Sequence, residues 1–101
     1  MNRTSLGSSS DIADGEVKQF VADGKKIAVA KIGGVLYAFD DICTHKACPL
    51  SKGSLDGITV TCPCHGSQFD VTTGVVLRGP AQEPVSTYPV EVDGNELVVE
   101  A

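Results

Sequence analysis

All four cysteines of this chain and both of its histidines lie between Cys43 and His65. They read Cys43-Thr44-His45, then sixteen residues containing Cys48, then Cys62-Pro63-Cys64-His65. Thiolate and imidazole are the soft and borderline donors that transition metals select, so this gathering points to a metal centre on a small scaffold. On the residues alone, three readings of Cys43, His45, Cys62 and His65 stay open. The first is a metal-free core of buried thiols and satisfied histidines. The second is structural zinc in a Cys₂His₂ set, although zinc knuckles usually use Cys-x₂-Cys and Cys-x-His is unusual there. The third is a [2Fe–2S] cluster with two thiolates on one iron and two imidazoles on the other. Cys48 and Cys64, one in each loop, read by themselves as small buried thiols.

The elements that must hold these loops are short. Val17 to Val21, Lys26 to Ile32 and Val35 to Phe39 are rich in β-branched residues and are separated by Asp23-Gly24 and Gly33-Gly34, which are hairpin signals. Val35, Tyr37 and Phe39 alternate with Leu36 and Ala38, which predicts a strand covered on both faces. After the second ligand pair come Gln68 to Val71, Val75 to Leu77, Tyr88 to Val92 and Glu96 to Glu100, the last two flanking Asp93-Gly94-Asn95. No window carries a sustained 3.6-residue apolar stripe. The expectation is an all-β domain of about eight to ten short strands.

With 101 residues there is room for one domain. Residues 1–10, rich in serine, read as a flexible tail, with a single domain over 11–101 and a small cluster-binding subdomain over about 41–80. Thirteen acidic residues against eight basic ones give a formal charge of −5, with no Lys/Arg run. That excludes the clustered cations of a nucleic-acid binder and argues against an anionic membrane surface. No apolar run reaches the eighteen residues of a membrane span. The start, Met1-Asn2-Arg3-Thr4-Ser5-Leu6, lacks the apolar core of a secretory signal, so the expected address is cytoplasmic. Nothing in the sequence demands more than a monomer.

The ligand pattern resembles the Rieske family: Cys-x-His, about fifteen to seventeen residues, then Cys-x-x-His. The neighbours Cys62-Pro63-Cys64-His65-Gly66-Ser67 and the downstream Gly79-Pro80-Ala81 are similar too, and the resemblance runs over roughly residues 15–101. It implies a Rieske-like antiparallel β-sandwich holding one [2Fe–2S] cluster per chain. Cys43 and Cys62 would bind the inner iron, and His45 and His65 the outer one. Two ferric ions, two sulfides and two thiolates sum to zero, against minus two with four thiolates. A neutral centre accepts an electron more readily, hence potentials above the roughly −400 mV of plant-type ferredoxins.

The resemblance also assigns the neighbours. Cys48 and Cys64 match the pair that forms a loop-tying disulfide in the Rieske proteins of cytochrome bc complexes, a pair many soluble oxygenase ferredoxins lack. Ser67 matches a serine whose hydroxyl bonds a bridging sulfide, against the alternative of an exposed turn serine. Phe69 stands where high-potential members carry a tyrosine, which implies an intermediate potential. Pro80, with Pro49-Leu50, would cover the cluster. Lys46 and Lys52 are a solvated pair or part of a docking rim for an acidic partner.

Both histidines are already used, so no mononuclear oxygenase iron can be built here. The chain is expected to be a one-electron carrier rather than an enzyme. It resembles the ferredoxins that pass electrons from a flavin reductase to the terminal oxygenase of an aromatic-ring dioxygenase. Two alternatives remain at this point. One is a respiratory-type Rieske fragment oxidising quinol beside a cytochrome; the other is a small reductase subunit such as that of nitrite reductase.

Overall fold

The computed structural model describes residues 3–22, 24–42, 48–64, 66–79 and 82–100, apart from the side chain of residue 9. Eleven strands are found among them. The central sheet grows from the Lys25–Ile32 strand. Its sequence Ile27-Ala28-Val29-Ala30 buries every residue, because a strand sends alternate side chains to opposite faces. Ala28 and Ala30 enter one core and Ile27 and Val29 another. The neighbouring strand does the same, with Phe39 in the first core and Ala38 in the second, as the alternation around Tyr37 anticipates.

In chain order the strands are β1 (Arg3–Ser8), β2 (Val17–Ala22), β3 (Lys25–Ile32), β4 (Val35–Asp40), β5 (Ser54–Asp56) and β6 (Thr59–Thr61). They continue with β7 (Gln68–Asp70), β8 (Val76–Arg78), β9 (Thr87–Tyr88), β10 (Val90–Asp93) and β11 (Glu96–Glu100). They form three antiparallel sheets, ordered β1-β11-β10, β2-β3-β4-β9 and β5-β6-β7-β8. The β3–β4 hairpin turns through Gly33 and Gly34, both at positive φ (58° and 79°), the pair of left-handed residues a type I′ turn requires. No helix of the described residues is long and apolar enough to cross a membrane.

Two expectations need correction, and one pair of strands is added. Residues 1–10 are not a tail throughout: Arg3 to Ser8 pair with Glu100 to Glu96 of β11. Leu6 packs against the second core, and Arg3 pairs with Glu91 and Glu100. A polar strand whose backbone groups are satisfied by a distant edge leaves no local apolar signature. Tyr88 to Val92 is not one strand either. It breaks at Pro89, which has no N–H to give a ladder, and the chain there leaves the central sheet for the β10–β11 hairpin. Finally, β5 and β6, three residues each, had no periodicity long enough to be read.

Candidate metal centre

The third sheet sets the geometry. Its register places Ser54 opposite Thr61, Thr61 opposite Gln68, and Gln68 opposite Arg78. The segment arriving at β5 and the loop leaving β6 therefore emerge at the same end. A 3-10 turn at Leu50–Lys52 closes the first segment, with Gly53 N–H donating to Leu50 O at 3.0 Å. Gly53 lies so close to the second loop that an added Cβ would run into the Thr61 carbonyl. Only glycine permits that approach.

The second loop is held across its base. Cys62 N–H donates to Ser67 O at 2.7 Å, and Gly66 N–H returns to Cys62 O at 3.1 Å. Gly66 adopts φ 78°, a left-handed turn that costs a glycine little. Cys48 and Cys64 form a disulfide spanning 6.4 Å between Cα atoms, so the two loops are joined covalently. Cys62 is a free thiol, 2% exposed, packed in the core that contains Leu50, Val60 and Phe69. The sulfurs of Cys48, Cys62 and Cys64 lie within 4.8 Å of one another. A metal could fit that spacing, but a disulfide has no thiolate to offer, so these three are neighbours and not a ligand set.

Cys43, His45, Lys46, His65 and Pro80 lie outside the described residues. Ser67 is 0% exposed, which removes the exposed-turn alternative. Phe69 is likewise fully buried, opposite Val60. Lys52 is exposed in the 3-10 turn. Two residues absent from the sequence reading belong to this end. Arg78, exposed at the end of β8, arrives through its pairing with Gln68. Asp41, buried, accepts hydrogen bonds from Ser51 and Gln19. Only a buried aspartate beside a ligand motif could have hinted at the second, and burial is not written in the sequence.

The model of the Rieske [2Fe-2S] domain matches residues 2–89. This chain belongs to the Rieske family. It is 37% identical to the ferredoxin component of a naphthalene 1,2-dioxygenase system from Pseudomonas aeruginosa, over 89% of this chain and 86% of that one. The structure is similar to the ferredoxin of carbazole 1,9a-dioxygenase from Nocardioides aromaticivorans. There the TM-score is 0.92 at 30% identity, covering 98% of this chain and 97% of the other. It is also similar to a chain in a complex of reduced oxygenase and oxidized ferredoxin of carbazole 1,9a-dioxygenase. That match has TM-score 0.89 at 35% identity, covering 96% and 91%. These relatives are electron-transfer components, not catalytic ones.

A Rieske domain carries a [2Fe–2S] cluster, held by two thiolates and two imidazoles. The donor chemistry of this structure fits that group. Four cysteines are present; the disulfide takes two of them, and Cys62 remains a free, buried thiol. Cys62 is buried among aliphatic and aromatic side chains, surroundings that would keep water from a sulfur–metal bond.

Proposed function

We propose that this chain is the ferredoxin of an aromatic-ring-hydroxylating dioxygenase system, accepting one electron from a flavin reductase and delivering it to the terminal oxygenase. The observation that carries the reading is the likeness, over nearly the whole chain, to ferredoxin components of dioxygenase systems; the buried free thiol of Cys62 is compatible with it. In this reading Cys43 and Cys62 supply the thiolates, and His45 and His65 the imidazoles. When bound, the cluster supplies a one-electron couple and no substrate chemistry.

The chain's own residues do the rest. Leu50, Val60 and Phe69 exclude water around Cys62. The Cys62–Ser67 bond closes the second loop at its base and the disulfide ties it to the first, which keeps reorganisation small during electron exchange. Ser67, buried and bonded through its carbonyl to the Cys62 N–H, is the serine that this reading assigns to a cluster sulfide, and Pro80 is assigned to the covering segment by the family resemblance alone. Lys52 and Arg78 are positive and exposed at this end, and with Lys46 they form the rim that meets an acidic patch on a partner. The address in this reading is the cytoplasm, where reductase and oxygenase would share one compartment. The relatives' printed functions favour this role over quinol oxidation or a reductase subunit.

The deciding experiment combines voltammetry across pH with reconstitution, using the reductase and oxygenase components of a naphthalene dioxygenase system. The expected result is product formation that depends on this protein, with a midpoint near the low end of the Rieske range, about −150 mV, and flat through neutral pH. A clearly positive midpoint that falls above pH 7, with no transfer to the oxygenase, would overturn the reading in favour of quinol oxidation.

A further inference from the structure

Asp41 follows β4 directly and is 2% exposed. Its Oδ1 accepts from the backbone N–H of Ser51 at 2.6 Å. Its Oδ2 accepts from the Ser51 hydroxyl at 2.6 Å and from Gln19 Nε2 at 2.6 Å. With donors on both oxygens, the group stands as an acceptor-only carboxylate. None of these partners is cationic. The ion pairs among the described residues, Arg3–Glu91, Arg3–Glu100 and Lys18–Glu16, do not involve it. In the sequence Asp41 precedes Cys43 by two positions, a chain length of at most about 7 Å.

We propose that Asp41 is a positioning residue of the iron–sulfur centre that also sets its potential. Its carboxylate clamps the turn after Cys48 to the central sheet, and its uncompensated charge opposes reduction of the cluster. The inference rests on the ligand assignment under Proposed function. The clamp follows from connectivity: Gln19 is in β2, Asp41 directly follows β4, and Ser51 is three residues beyond Cys48. One side chain therefore joins two strands of the central sheet to the loop that the disulfide ties to Cys64. The field effect follows from burial. A fixed anion removed from water raises the free energy of any nearby centre that gains an electron, and among the described residues no ion pair engages this one.

The test uses three variants of the full chain. Asp41→Asn keeps the shape and removes the charge. Gln19→Lys, at an exposed strand position, keeps the carboxylate and sets a cation against it. Asp41→Ala removes the clamp. Both of the first two are expected to favour reduction by three- to tenfold in the one-electron equilibrium, tenfold being about 59 mV. In apo-protein, Asp41→Ala is expected to speed hydrogen exchange at the Ser51 amide at least tenfold. A wild-type midpoint in Gln19→Lys holoprotein overturns the potential-setting role, even if Asp41→Asn fails to assemble. Unchanged exchange at Ser51 overturns the clamp. If wild-type protein reconstituted with iron and sulfide shows no Rieske spectrum, the ligand assignment falls, and this inference with it. A normal spectrum with unmoved potentials overturns the inference alone.

Discussion

The backbone amide of Cys62 donates to the carbonyl of Ser67 at 2.7 Å, so the loop carrying the Cys-Pro-Cys-His motif is closed at its root by the main chain. Cys62 and Ser67 are both buried, and the residues between them turn through Gly66 at positive φ. The loop's shape therefore depends on its own backbone as well as on any bound metal. Its attachment to the first loop is a separate matter, settled by the disulfide and by the closeness of Gly53 to Thr61.

Replacing Cys48 and Cys64 together by serine tests that attachment. The bridge spans a sequence separation of 16, for which loop-closure entropy contributes about 3 kcal/mol. The apo-protein should lose roughly that much stability in urea titration, and the holoprotein should bleach faster in air. An unchanged unfolding midpoint would show that the bridge restrains nothing that the sheet does not already hold.

Phe69→Tyr tests the potential. Phe69 is fully buried in the same core as Cys62, so a new hydroxyl there needs an acceptor. If it bonds a ligand sulfur, it stabilises the more negative state and raises the midpoint. Voltammetry should show the upward shift, and a midpoint equal to the wild type would remove the residue from any tuning role.

Gly53→Ala probes the approach of the two loops. The added methyl meets the Thr61 carbonyl and comes within 3.2 Å of Pro63 Cδ. Backbone cannot rotate aside as a side chain can, so the cost should sit at the upper end of overpacking, about 3 kcal/mol. Thermal unfolding measures the loss, and the variant should also incorporate less iron per chain.

Tyr88→Phe addresses alkaline stability. The Tyr88 hydroxyl donates to Asp40 at 2.5 Å and accepts from Lys25 at 3.2 Å. Burial, then the bond to Asp40, raises the phenol above its ordinary value of 10.0, while Lys25 opposes. Lys25 is raised too, chiefly by its bond to Tyr88. Both groups hold their protons more tightly folded than unfolded. Their stabilisation is complete below about pH 10 and is lost as pH rises through the folded values. The variant should be about 1–2 kcal/mol less stable at pH 8 and should lose less on going to pH 11. Urea midpoints at the two pH values measure both effects, and parallel losses in the two proteins would assign the alkaline slope elsewhere.

Much of this site was legible because its chemistry is local. Cys-x-His and Cys-x-x-His are contiguous motifs, and the hairpin glycines between β-branched runs announced β2 to β4 without any tertiary knowledge. The leftover cysteines could be paired on family resemblance, and the bridge is present. Nothing local marks Asp41, because its partners Gln19 and Ser51 lie 22 and 10 residues away. Arg78 was missed for a related reason: only the β7–β8 register carries it to the cluster end.

Residue types and spacing by themselves gathered the candidate donors into one stretch and pointed to the all-β class, since these depend on composition and short-range order. Folding decided what depends on distance. It made Arg3–Ser8 a strand rather than a tail, because pairing with β11 satisfies a polar backbone that offers no apolar pattern. It turned Ser67 inward, and it buried the carboxylate of Asp41 against donors from Ser51 and Gln19. Burial and pairing are properties of the assembled core, where groups far apart in the chain remove one another from water.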